Sequence, residues 1–80
     1  MQIKVLFFAE LGEIFGSQRV VDAVEGSTIR DITETFSKES EQFSLKKPSL
    51  LYAVNENFEP IEKALADQDR LAIMTPMCGG

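Results

Sequence analysis

The sequence predicts an α+β fold, a small mixed sheet with one main helix packed across one face. Three features carry that expectation. Near the start of the chain Ile3 to Phe8 is rich in β-branched and aromatic residues, and near its end Arg70 to Thr75 reads as a last strand after a tight turn. Between them a single segment, Ile29 to Phe43, keeps one apolar face in helical steps. No repeat, low-complexity tract or linker interrupts the 80 residues, so residues 1–76 read as one domain and residues 77–80 as a flexible C-terminal tail.

Ile3 to Phe8 reads as a strand in the middle of the sheet. If Ile3, Val5 and Phe7 face the helix, then Lys4, Leu6 and Phe8 face the other way. Leu11, Ile14 and Phe15 sit at i, i+3 and i+4, which fits a short helical turn closed by Gly16. Gln18 to Val24 alternates weakly and reads as a return strand. Glu25-Gly26-Ser27 makes a turn, and Thr28 is a suitable N-cap with Asp31 at N3, a shorter partner than the usual Glu or Gln. The helix then runs through Ile29, Ile32, Phe36 and Phe43, with Arg30, Glu34, Lys38 and Glu41 on its solvated side. Leu50 to Asn55 is a third strand, followed by the polar turn Asn55-Glu56-Asn57 and a brief strand in Phe58 to Ile61. Asp67-Gln68-Asp69 is a tight turn before the last strand. There Leu71 and Ile73 point inward, and Ala72 and Met74 lie beside Phe8.

Composition removes several classes of function. Eight basic residues against thirteen acidic ones give a net charge of −5, so no basic stripe is visible for nucleic acid. The chain has no histidine, which excludes His-based triads and the usual catalytic zinc sites. A single cysteine, Cys78, forbids an intramolecular disulfide and points to the cytoplasm. The apolar run Val5 to Ala9 is too short for a signal peptide, and no stretch approaches a membrane span. No metal site is expected: Asp67 and Asp69 look like half of an acidic loop whose other ligands are missing.

The most informative residues are the last two, Gly79 and Gly80. A carboxylate on a tail without Cβ atoms threads a narrow channel, and its backbone lies flush against a partner. Nothing shields its carbonyl from a nucleophile once the carboxylate is activated. That suits a carrier whose reactive group is its own C-terminus.

The chain resembles the small, sulfur-carrying subunits of molybdopterin synthase. The resemblance is carried by Lys4-Val5-Leu6-Phe7-Phe8-Ala9, Gly26-Ser27-Thr28-Ile29, Ala53-Val54-Asn55 and the stretch Leu65 to Ala72. It ends on Pro76-Met77-Cys78-Gly79-Gly80. Departures are Gly12, where the family often has a basic residue, Gln68, where it has a glycine, and Cys78, more usually Ser or Thr. The fold implied is the ubiquitin-like β-grasp, with the first and last strands side by side at the centre.

The resemblance implies a two-stage cycle. An E1-like adenylating enzyme uses ATP to activate the carboxylate of Gly80, and a sulfur donor converts the acyl-adenylate to a thiocarboxylate. The tail, with Met77, Cys78 and Gly79 along the channel, then enters the large subunit of molybdopterin synthase, which is expected to hold the active site. There sulfur passes to the cyclic pterin phosphate precursor, and two large subunits pair to give a heterotetramer. The carrier needs no permanently bound cofactor, and it is not an enzyme on its own. The alternatives in the same frame are a carrier for thiamine or another thiolation pathway, a ubiquitin-like protein modifier, and an interaction domain with an inert tail. Cys78 has no basic neighbours in the tail to lower its pKa, so no catalytic thiol is expected. A sheet covered on one face by one helix leaves the other bare, and exposed apolar residues there usually mark docking. Phe8, Phe58 and Met74 are therefore expected to form a patch shared by the activating enzyme and the large subunit.

Overall fold

The computed structural model of the chain describes residues 1–76. Strand β1 (Gln2–Phe7) is followed by α1 (Leu11–Phe15), β2 (Gln18–Asp22), α2 (Ile29–Glu39) and α3 (Glu41–Lys46). A 3-10 turn, Lys47–Ser49, leads into β3 (Leu51–Val54), β4 (Asn57–Phe58) and β5 (Arg70–Met74). The sheet order is β2-β1-β5-β3-β4. β1 and β5 pair in parallel near its middle, and the other pairs are antiparallel. This is the expected β-grasp topology, with the helices on one face.

Period-2 alternation sets the core. Ile3, Val5 and Phe7 on β1 and Leu71 and Ile73 on β5 are buried, and they meet Ile29, Ile32 and Phe36 of α2 in one cluster. Aromatic rings fill the middle of it. Phe36 lies with ring centroids 5.2 Å from Phe7, 5.0 Å from Phe15 and 5.9 Å from Phe43, separations at which tilted and edge-on rings attract. Arg19 of β2 closes the cluster from outside. Its guanidinium stands 5.4 Å from the Phe36 ring and binds Glu39 with a fork of two contacts, each 3.0 Å. That arrangement ties the edge strand to the end of α2.

The start of α2 is the expected capping box, now complete. Thr28 Oγ1 accepts from Asp31 N, and the Asp31 carboxylate accepts from Thr28 N at 2.9 Å. Asp is therefore long enough here. The far end corrects the expectation of one helix through Phe43. Ser40 is extended (φ −144°, ψ 119°), and it ends α2 through its N–H to Phe36 O. Its Oγ accepts from Phe43 N and so begins α3. A serine on the apolar side offers the backbone a cap in place of a buried contact. Phe43 still reaches the core, from a second helix.

Four strands are shorter than expected. β2 ends at Asp22 rather than Val24, β3 covers only Leu51–Val54, the fourth strand is only Asn57–Phe58, and β5 stops at Met74 rather than Thr75. The turn between β3 and β4 is tighter too. Asn55 and Glu56 both have positive φ, 49° and 73°, the two-residue geometry whose twist matches a hairpin.

Gln68 also has positive φ, 71°, in the turn before β5. A side chain in the left-handed region costs about 1–2 kcal/mol, partly offset in any change to glycine by the entropy glycine loses on folding. Gln68→Gly is expected to stabilise the fold by about 0.5–1 kcal/mol, read as a higher denaturant midpoint at unchanged slope. A lower midpoint would show that the Gln68 side chain outweighs its backbone strain.

Candidate functional site

The face of the sheet away from the helices carries two apolar rows at the end from which the chain leaves β5. Register places Leu6, Ala72, Ala53 and Phe58 in one row across β1, β5, β3 and β4. Met74 and Leu51 form the next row, and Phe8, whose N–H donates to Ile73 O at 3.2 Å, continues β1 alongside Met74. Phe8 is 48% exposed, Leu51 44% and Phe58 73%, while Met74 is half-buried. Phe8, Phe58 and Met74 thus share one face, and Leu51 lies among them. The sequence reading missed Leu51 because only the β3–β5 register shows which face it takes.

Ala9 helps to place Phe8. It has φ 54° and turns the chain so that Leu11 N–H returns to Phe8 O and Gly12 N–H to Ala9 O. Phe8 is left at the rim of the sheet. Beyond Met74 the chain continues through Thr75 and Pro76. The sequence-predicted residues Met77, Cys78, Gly79 and Gly80 lie outside the described residues. Among the described residues no three His, Cys, Asp or Glu side chains come together as metal ligands, and no helix is long and apolar enough to cross a membrane.

Asp67 and Asp69 serve the turn that begins β5. Asp67 Oδ1 accepts from Gln2 N at 2.7 Å, and Asp69 accepts from Ala66 N at 2.8 Å and from Asn55 Nδ2 at 2.9 Å. Asn55 Oδ1 accepts in turn from Arg70 N. The Gln2 amide, helped by the Gln68 side chain, holds the Asp67 carboxyl below its usual 3.8. A depressed carboxyl pKa contributes stability that is complete above the unfolded value and lost as pH falls through the folded one. The stability difference between the native chain and Asp67→Ala is therefore expected in full at neutral pH and to shrink below pH 3.8. Denaturant titrations at several pH values check it, and a difference that does not change with pH would remove the carboxylate from the account.

A groove of about 740 Å³ opens between the helices and the β3–β4 edge, lined among others by Arg30, Lys47, Pro48, Leu51, Tyr52 and Phe58. No sequence signal marked it, because its walls come from separate segments. Burial pushes the Tyr52 hydroxyl above its usual pKa, opposed by neighbouring Thr33 and the Arg30 charge. Leu51 and Phe58 line both the groove and the open face, so the apolar surface wraps around the sheet edge.

A β-grasp domain with a bare apolar face is common to carriers, modifiers and docking modules, so geometry alone leaves the class open. The sequence profile of the ThiS family matches residues 5–80. The chain belongs to the ThiS family. It is 31% identical over 80 residues to the molybdopterin synthase sulfur carrier subunit of Escherichia coli (strain K12), covering 98% of this chain and 99% of that protein. Two solved structures share the fold of this ThiS family chain. A putative molybdopterin converting factor, subunit 1, from Pyrococcus furiosus matches with a TM-score of 0.84 at 23% identity, over 96% of this chain and 99% of that one. The protein–protein complex of subunits 1 and 2 of the molybdopterin-converting factor from Helicobacter pylori 26695 contains a chain that matches at 0.70 and 21% identity, over the whole of both chains.

Proposed function

We propose that this chain is the sulfur carrier subunit of molybdopterin synthase. The observation that carries the reading is the end-to-end likeness to the Escherichia coli carrier, in which the two chains match over almost their entire lengths. The reactive group is the carboxylate of Gly80. A carboxylate is a poor electrophile until one oxygen becomes a good leaving group. An E1-like enzyme supplies this by joining it to the AMP part of ATP with loss of pyrophosphate. A sulfur donor then displaces AMP and leaves a thiocarboxylate on Gly80.

The charged carrier docks through Phe8, Phe58 and Met74 on the large subunit of the synthase. Its tail, through Met77, Cys78 and Gly79, reaches an active site held by that subunit, where sulfur passes to the cyclic pterin phosphate precursor. The carrier itself supplies no acid, base or metal, which agrees with a chain lacking histidine. The same apolar face receives the activating enzyme, so the two partners take turns on it. Pairing of two large subunits gives a heterotetramer. The cycle runs in the cytoplasm, where a lone cysteine needs no disulfide partner.

The test is fragmentation mass spectrometry of the C-terminal peptide after incubation with ATP, an activating enzyme and a sulfur source. Sulfur localised on the Gly80 carboxyl, and lost on adding large subunit and pterin precursor, is the expected result. Fragmentation is needed because replacing oxygen by sulfur nearly matches in mass the oxidation of a methionine or of Cys78. A Gly80 that stays a plain carboxylate under conditions that charge a known carrier sinks the proposal. Conjugates on lysines of other proteins would move the chain to the modifier class.

A further inference from the structure

One end of the open face is basic. Lys4 on β1 and Arg70 on β5 are direct partners in register, and alternation puts both side chains on the face that carries Leu6 and Ala72. Like charges directly across a strand pair destabilise a sheet. Lys4 makes no ion pair among the described residues, and Arg70 reaches only Glu56, at 3.5 Å and 88% exposed. The two cations line a notch of about 350 Å³ together with Gln2, Val20 and Gln68. The nearby carboxylates of Asp67 and Asp69 are engaged with backbone N–H groups of the turn. On a chain of net charge −5, this is a local reversal of sign, with two cations, two carboxamides and no acid among the lining residues.

We propose that this notch receives a carboxylate side chain, Asp or Glu, of the large subunit docked on the apolar face. The inference rests on the docking reading above and deepens it. Apolar contact is non-directional, so rows of Leu, Ala, Met and Phe hold a partner without fixing which way round it sits. The notch lies at the start of β5 and the tail leaves from its end, roughly 13 Å away at about 3.3 Å per residue. A partner that engages both has one orientation on the face. One rotated by half a turn sets its carboxylate against apolar rows and leaves Lys4 and Arg70 uncompensated. The repulsion between the two cations in the free carrier is relieved when the carboxylate arrives.

The experiment measures binding of the full-length chain to purified large subunit by calorimetry, at low and at physiological salt. The native chain is compared with the double variant Lys4→Gln/Arg70→Gln and with Phe58→Asp. The double variant is expected to bind about tenfold more weakly at low salt and to lose most of the native salt dependence. Its Tm should be equal or higher, because the like-charge contact is gone. Zero-length carbodiimide coupling of the native complex should join Lys4 to an Asp or Glu of the large subunit. Phe58→Asp should abolish binding. If the double variant keeps native affinity and salt slope while Phe58→Asp abolishes binding, the notch is overturned and the docking face stands. If its Tm falls along with its affinity, the pair is structural and the notch is again overturned. If neither variant changes binding, or the native chain does not bind, both readings fall.

Discussion

Phe36→Ala is expected to remove about 3–5 kcal/mol of stability and to leave the domain near its folding limit. Phe36 is 1% exposed, and its ring contacts Phe7 of β1, Phe15 of α1 and Phe43 of α3. Arg19 also rests its guanidinium on this ring. Truncation opens a cavity where four elements meet, and fixed rings on several sides leave little freedom to collapse into it. At roughly 0.05–0.15 kcal/mol per residue, a chain of this size holds about 4–12 kcal/mol in all. The change therefore removes about a quarter of the stability at least and all of it at most. Chemical denaturation should show a lower midpoint at unchanged slope, and Tm should drop by more than about 12 °C, at 4–8 °C per kcal/mol. Arg19→Ala, which spares the ring packing, should cost only about 1 kcal/mol. Equal effects of the two changes would show that the salt-bridged lid, not the aromatic centre, holds the cluster together.

The parts of the fold legible in the sequence are those set by local rules. The alternation of Ile3, Val5 and Phe7 with Lys4, Leu6 and Phe8 assigns both faces of β1 before any contact is known. Thr28 and Asp31 mark the entry of α2 through chemistry confined to one turn. The break at Ser40 had a signal as well, a serine on the apolar side three residues before Phe43, but the seven-residue step from Phe36 to Phe43 also fits an unbroken helix. The Ser40 side chain, accepting from Phe43 N, makes two helices of it. The positive φ values at Ala9, Asn55, Glu56 and Gln68 fall on non-glycine residues, where composition gives little warning. They are held by long-range bonds such as Asn55 Nδ2 to Asp69 Oδ1.

The candidate site divides in the same way. Phe8 and Met74 were assignable to one face from period 2 and the expected β-grasp order, and the β3–β4 register adds Phe58 to it. Leu51 and the Lys4–Arg70 pair needed the registers between strands far apart in sequence. The groove beside Tyr52 needed three dimensions. Four of the residues singled out in the tail, Met77 to Gly80, lie beyond the described residues, so their part in the cycle rests on sequence and family.

Phe8→Asp is expected to weaken binding to the large subunit and to the activating enzyme by about 100-fold or more, as loss of a buried aromatic anchor commonly does. The fold should survive it. The side chain is 48% exposed and points away from the helices, and the backbone bond from Phe8 N–H to Ile73 O is untouched by the change. In a complex, however, a carboxylate at this position would be buried beside Met74 and Leu51 with no cation in the apolar rows to pair with it, and an unpaired buried charge costs far more than the lost contact. Circular dichroism and Tm should therefore match the native chain while calorimetry shows no heat of binding. Phe58→Asp, on the more exposed side chain at 73%, separates the two functions of the surface further, since any effect on folding should be smaller still. A Phe8→Asp chain that unfolds would make Phe8 ordinary boundary packing. One that folds and binds both partners as tightly as the native chain would move the docking surface away from this face.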